Sequence, residues 1–501
     1  MRIECSSTTG LIEAVLPSNR PQLFLDGTEY PLPTGALVLP GFTDSHAHLI
    51  GLGEMESKVD LVDARSAQEC AQRIAEHART LPAGTWVQGF GWNQERWDSP
   101  ALPTRELLDS LIPHHPVILL RIDTHAAWVN SAAIHAANIT PRWVEGGQVL
   151  LDDTGQPNGL LIDNAMMLAF QQMPPITTEQ KMEWLDYGVG QCLRYGITSL
   201  HDMNVEPERL EAMTRLAERG GMKIRCSVFL KAQGEEWRAV PQPGPLAKNV
   251  DIVGVKYFAD GALGSRGALL LQPYSDAPAT CGIQLLSADQ LAGLADEPAR
   301  RGFAVATHAI GDGANRLVLD AYQQLRNRYP DALLRVEHAQ IVHPDDVPRF
   351  AELGVLPSMQ PTHCTSDAAM ARQRLGAVRC GYAYGWQNLR RTGVPILAGS
   401  DFPIESPDPI AGIRAFVERL DNSTQKPWHP EQRITEQEAI AAFTEWPAAG
   451  IPGNPWRGRI AEGYAADLVV LAGNPCAAAE ATTIATTLAT IVAGNVVWRW
   501  A

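Results

Sequence analysis

The sequence predicts an α/β protein built on a (β/α)8 TIM barrel, with a large insertion after the first barrel strand and β-rich segments at both ends. Three observations predict it. Eight short apolar or β-branched runs alternate with amphipathic segments through the middle of the chain, as in a parallel sheet with crossover helices. Eight such units match a closed (β/α)8 count. One inter-strand gap is far too long for an ordinary connection, which marks an inserted segment.

Taken in order, the first forty residues read as short strands, and Asp26-Gly27 within PQLFLDGTEYPL is a hairpin signal. The barrel strands are read at 36–48, 196–202, 223–230, 253–261, 303–312, 334–340, 354–363 and 394–403. Helical patterns fill 206–219, 315–328 and 345–353. Residues 49–195 separate the first two strands, against about 2–6 residues for a usual βα connection. That stretch holds its own helical patterns (67–80, 103–111), further strands (TWVQGFG, PVILLRID, GQVLLDD) and Trp86, Trp92, Trp97, Trp128 and Trp143. It is read as an insertion over the catalytic mouth; the alternative is that its tryptophans form only its own core. The last fifty residues, including GYAADLVVLAGNP and LATIVAGNVVWRW, return to short β runs. Two β-rich ends point to one small domain in which the termini meet, although separate caps fit the same pattern. The predicted division is 1–40 with 452–501 as the β-domain, 41–60 with 176–451 as the barrel, and 61–175 as the insertion.

Composition narrows the function. Of 501 residues, 45% are hydrophobic and 19% charged, which excludes wholesale disorder. The formal charge is −15, so phosphate backbones are repelled and no nucleic-acid partner is expected. Eight cysteines are scattered, the closest pair being Cys364 and Cys380. This spacing fits neither a Cys-x-x-Cys site nor a disulfide framework and suits the reducing cytoplasm. The start, MRIECSSTTG, has no apolar signal core, and no run of about 18 apolar residues spans a membrane. A small-molecule substrate is expected, and a homodimer is allowed.

The chemistry lies where apolar runs end. The first strand closes in His46-Ala47-His48, and residues two apart on a strand share a face. His308, His338 and Asp401 end the fifth, sixth and eighth strands. Strand carboxyl ends form the active face of such a barrel. Four imidazoles and a carboxylate there make a site for zinc or a similar ion. Lys256 lies in the apolar run IVGVKYFADG, in a chain with 41 Lys+Arg of which only seven are Lys. A buried ammonium tends to lose its proton, and a neutral amine can take up carbon dioxide as a carbamate, which Arg cannot do. The alternatives are an ion pair with Asp260 and an outward-facing side chain. Weaker substrate-binding candidates are His201 and Asp202 at the second strand, His363 at the seventh, Arg266 after the fourth, and Asp123, His125, Trp128 and Asn130 in the insertion.

As a set, GFTDSHAH, VKYFADGALGSRGA, THAIGDGAN, RVEHAQ and AGSDFP resemble the amidohydrolase superfamily, specifically its family-3, YtcJ-like branch, related to N-substituted formamide deformylase. RIDTHAAWVNSAA and GRIAEGYAADLVVL extend the resemblance over nearly the whole chain. The resemblance implies a composite β-sandwich from both termini and a binuclear centre of two divalent ions. His46 and His48 would hold one ion, His308 and His338 the other, carboxylated Lys256 would bridge, and Asp401 would sit beside the first. The expected reaction is cleavage of a C–N bond in an amide, formamide or N-acyl compound. A metal-bridging hydroxide attacks the carbonyl, and Asp401 shuttles the proton to the leaving nitrogen. Two rivals remain: a mononuclear deaminase of a ring amidine, and a non-catalytic regulatory homologue.

Overall fold

The computed structural model describes residues 1–123, 125–453, 456–476 and 485–500. Residues 124, 454–455, 477–484 and 501 fall in spans assigned above to the insertion or the C-terminal β segments, and lie outside the described residues.

Eight parallel strands form the barrel: β1 (Phe42–Ala47), β2 (Ile197–Val205), β3 (Arg225–Lys231), β4 (Val250–Phe258), β5 (Ala304–Ala309), β6 (Leu334–His338), β7 (Val355–Met359) and β8 (Leu397–Ala398). Neighbours in sequence are neighbours in the sheet. The strands are apolar and buried almost throughout because helices cover them outside and side chains fill them inside. Each large side chain so buried contributes about 1.5–3 kcal/mol. The helix after β5, Asp312–Arg328, buries Ala314, Val318, Leu319, Ala321, Tyr322 and Leu325, a stripe at helical spacing. Its Tyr322 hydroxyl lies 2.8 Å from both Thr307 Oγ1 and the Arg335 carbonyl oxygen. One buried phenol thus ties together the two strands that end in His308 and His338.

The seam between β8 and β1 has no regular ladder. The buried Asp44 carboxylate closes it, accepting from the Ser400 hydroxyl (2.6 Å) and the backbone N–H groups of Ser400 and His46. Just beyond, Asp401 N–H donates to the His46 carbonyl (2.7 Å) and His48 N–H to that of Phe402 (3.0 Å). A Cβ on Gly399 would sit 2.5 Å from His46 N and 2.7 Å from Asp44 Oδ1. Gly399→Ala would therefore force this seam apart.

The run at 36–48 is two strands rather than the single strand expected. Ala36–Pro40 pairs antiparallel with Leu468–Ala472, and β1 begins after Gly41. A Cβ on Gly41 would meet Thr198 Oγ1 at 2.2 Å, so only glycine lets the chain pass from one sheet to the other. Ala36–Pro40, Leu468–Ala472, Thr486–Val492 and Asn495–Arg499 form one four-stranded sheet; Arg2–Cys5, Ile12–Leu16, Gln22–Leu25 and Thr28–Tyr30 form another. Side chains from both make one core, including Ile3, Ile12, Leu23, Val38, Leu468 and Ile491. The hairpin at Asp26-Gly27 turns with φ of 48° and 77°, the paired left-handed geometry such a dipeptide favours.

The chain divides into two compact units, Gly53–Gln180 and the rest. The first boundary falls at Gly53 because Val59–Asp60 pairs with Val87–Trp92 in the insertion's own sheet. That sheet has six strands. Trp92, Trp97 and Trp128 pack in its core, with ring centroids 5.9 and 6.5 Å from Trp92, whereas Trp143 is 82% exposed.

Candidate metal centre

The carboxyl ends of the barrel strands bring His46, His338 and Asp401 together, with one ligand atom from each within 4.8 Å of the others. His48 Nε2 lies 3.1 Å from Asp401 Oδ1, and His46 Nε2 lies 3.5 Å from it. The histidine rings continue around the barrel: centroids are 5.6 Å apart for His46–His48, 4.8 Å for His46–His338 and 4.5 Å for His308–His338. His338 (φ 73°), Ala339 (φ 41°) and Asp401 (φ 61°) all occupy the left-handed region. Non-glycine residues adopt it at a cost of about 1–3 kcal/mol, and such strain concentrates at functional sites.

Three imidazoles have their back nitrogen engaged. His46 Nδ1 pairs with Glu337 Oε2 at 2.7 Å, His48 Nδ1 with the Met203 carbonyl at 3.0 Å, and His338 Nδ1 with Gln360 Oε1 at 2.8 Å. Each acceptor holds a proton on Nδ1 and leaves Nε2 with a lone pair turned inward, the arrangement of a histidine that ligates a metal.

Burial then sets the charges. It drives His46 down to about 4 and His308 to about 3, each aided by the positive charge of Lys256, and carries His338 well below its ordinary value. These rings are neutral at pH 7, as ligands must be. Asp401 stays ionised against burial because the surrounding histidines hold it well below the usual carboxylate range. Lys256 is 1% exposed and burial lowers its amine to about 8. Its Nζ has no hydrogen-bond partner among the described residues, nor has His308 Nε2. Asp260 does not supply one for Lys256, being occupied by the N–H groups of Leu269, Ile310 and Gly311. Neutral imidazoles, a carboxylate and an unpartnered buried amine suit a divalent metal, and they line one cavity of about 470 Å³.

The structure thus brings His46, His48, Lys256, His308, His338, His363 and Asp401 to a single cavity. His363 arrives differently from its expected place on a strand. β7 stops at Met359, and His363 lies in the first turn of the helix Pro361–Cys380, its Nε2 3.9 Å from Asp401 Oδ2. His201 and Asp202 are not brought there. β2 runs on to Val205, which leaves both in mid-strand rather than at its end. His201 is fully buried, with Nδ1 accepting from Arg335 Nη1 at 2.9 Å. Asp202 accepts the Leu49 N–H at 3.0 Å, and burial raises it to about 6. Arg266 pairs with Asp276 and lies outside the cavity lining. Within the insertion, Trp128 is fully buried and its indole N–H donates to the Thr104 carbonyl, so the expected substrate contact is replaced by a core role. Asn130 is likewise buried, bonded to Val117, Ala133, Ile112 and His115. Asp123 pairs with Arg121, and His125, 71% exposed, with Asp163 at 2.7 Å.

Sequence reasoning missed the groups behind the ligands. Glu337 and Arg335 are fully buried on β6. Arg335 donates to Glu337 (2.9 Å), the Ser45 carbonyl (2.8 Å) and Ser358 Oγ (3.1 Å) as well as to His201. Glu337 stays anionic in spite of burial because Arg335 and His46 face it. The alternation Arg335, Glu337 in an otherwise apolar run was the available signal: both point to the barrel interior.

A (β/α)8 barrel whose strand ends gather neutral histidines and an ionised aspartate defines a metal-dependent hydrolase. The chain belongs to the amidohydrolase family, whose model matches residues 34–498. It is 36% identical over 456 residues to YtcJ of Bacillus subtilis (strain 168), itself named as an amidohydrolase, covering 88% of this chain and 85% of that one. It is 26% identical over 489 residues to N-substituted formamide deformylase of Arthrobacter pascens, covering 89% and 86%. An uncharacterized metal-dependent hydrolase from Pyrococcus horikoshii OT3 has a similar structure, with a TM-score of 0.79, 25% identity, and 95% and 97% of the two chains covered.

Proposed function

We propose that this hydrolase cleaves a C–N bond in an amide, formamide or other N-acyl compound at two divalent ions, zinc being the metal. The cluster of His46, His338 and Asp401 beside the unpartnered Lys256 amine carries this reading. His46 and His48 would hold one ion and His308 and His338 the other, and Lys256, carboxylated by carbon dioxide with loss of a proton, would add an anionic oxygen ligand. Bound ions of this kind acidify a water ligand and polarise a carbonyl oxygen.

The protein's own groups do the rest. Asp401, ionised and with Oδ1 3.1 Å from His48 Nε2, takes the proton from the attacking water and passes it to the leaving nitrogen. His363 stands 3.9 Å from the second Asp401 oxygen, where it orients the substrate. Phe258, Leu263, Ile310 and Met370 give the cavity apolar walls for the acyl or amine portion. The N-formyl chemistry named for the Arthrobacter pascens relative supports the choice of bond. The partner is a small molecule, and the proposed location is the cytoplasm, in keeping with eight unpaired cysteines. A screen of N-formyl, N-acetyl and N-acyl-amino-acid amides with metal-loaded protein tests the reading. Turnover with about two ions per chain is expected. Absence of bound metal after zinc add-back would sink it, and one ion with ring-amidine turnover would favour the deaminase.

A further inference from the structure

The cavity also carries polar groups that the hydrolytic chemistry does not use. Asp367 and Glu405 line it outside the metal-facing set, and among the described residues Lys256 is the only Lys or Arg in the lining. Two connections place Asp367. It lies one helical turn beyond His363 on Pro361–Cys380. Its Oδ2 also accepts from the Tyr384 hydroxyl (2.8 Å) and from Gln340 Nε2 (3.3 Å), Gln340 being two residues past His338. Oδ1 has no partner among the described residues. Glu405, four residues past Asp401, accepts from the hydroxyl of Ser366, the neighbour of Asp367, through Oε1 (2.6 Å); its Oε2 is likewise without a partner. Two carboxylates are therefore each fixed by one oxygen and open at the other. Apolar side chains including Met370 and Leu263 line the same cavity. The Lys256 amine of the same cavity, buried and without a hydrogen-bond partner among the described residues, also points to a ligand there.

We propose that this cavity selects N-acyl compounds that carry a protonated amine away from the scissile bond, with the carbonyl at the histidine end and the ammonium at Asp367 and Glu405. The proposal rests on the hydrolytic reading above and names its substrate class. The apolar side chains of the lining take the methylene linker. A substrate with a free carboxylate at that position meets two like charges and no arginine, and is rejected.

Two measurements on the metal-loaded protein test it separately from the hydrolytic reading. The first is calorimetric binding of pentylammonium and of the neutral pentanol to wild type, Asp367→Asn and Glu405→Gln. Pentylammonium is expected to bind wild type more tightly than pentanol and to lose about tenfold or more in each variant, with pentanol unchanged. Equal binding of the two probes, no binding of either, or a variant effect on both alike would overturn the proposal. The second compares turnover of N-acetyl-diaminopentane with N-pentylacetamide. The amine is expected to be favoured at least about tenfold, the advantage lying in KM and disappearing in either variant while kcat holds. A preference for the neutral amide would overturn it. If the ammonium selectivity holds but no N-acyl compound is hydrolysed, the hydrolytic reading fails and the cation site stands. Glu405→Gln keeps the test decisive if Asp367→Asn does not fold.

Discussion

The barrel's strand ends and the insertion's core both gather large polar-tipped side chains, and they treat them in opposite ways. In the insertion, Trp92 donates to the Leu119 carbonyl at 2.8 Å and Trp128 to that of Thr104 at 3.0 Å. Their rings are buried and their polar atoms satisfied. Its exception, Trp97 Nε1, is a single neutral donor. Around the barrel mouth, Lys256 Nζ, His308 Nε2 and His363 Nε2 are buried without a hydrogen-bond partner among the described residues, and three residues carry strained backbone. A buried donor or acceptor left unpaired costs about 1–3 kcal/mol. One region has spent its polar groups on its own stability; the other keeps them available for a ligand. The contrast separates a structural aromatic cluster from a chemical centre without any bound group in view.

The contrast breaks most sharply at Asp401. Asp401→Asn should keep the fold and lower kcat by about 10²–10⁴, the scale of a lost acid–base group, in steady-state assays on any substrate found; a near-normal rate would remove it as proton carrier. In the insertion the loss should be of stability alone. Trp128→Ala should destabilise that unit by about 3–5 kcal/mol in denaturant titration and leave bound metal, measured by elemental analysis, unchanged. Lys256 offers a test by pH on metal-free protein. Below about pH 8 the amine is charged in both states and the fold bears the burial cost; above about 10.5 it is neutral in both and the cost is gone. Between these values the unfolded chain holds the proton that the native one has released. Wild type should therefore gain about 3 kcal/mol relative to Lys256→Met as the pH rises across that window. No difference in slope would mean the amine is hydrated. Glu337→Gln should weaken metal binding about 10–100-fold by equilibrium dialysis, because His46 loses the carboxylate that fixes its tautomer. The smallest effect belongs to Arg266→Ala. Its solvent-screened pair with Asp276 should leave both the denaturation midpoint and KM essentially unmoved.

Much of this centre was legible because each ligand closes an apolar run. FAVATHA, LRVEH and VPILAGSD each place hydrophobic residues in the barrel and carry the ligand at or just past the point where the strand must stop. His201 misled for the same reason: GITSLHD looks finished at Asp202, yet MNV continues the strand and buries both residues. His363 carried an overlooked sign, since Pro361 is a residue that starts helices rather than ends strands.

Local chemistry along the chain thus determined the strand count, the Asp26-Gly27 turn and which residues sit at the strand ends. Propensity, hydrophobic period and turn preference act over a few neighbours and are written in sequence order. Only the folded barrel decided that Glu337 and Arg335 would stand behind His46, that Asp44 would close the seam at Ser400, and that Asp367 and Glu405 would share one wall. Those partners are separated by tens to hundreds of residues. A charge is stable in a barrel interior only when strands from distant parts of the chain converge on it, and a linear pattern carries no record of which strands those are.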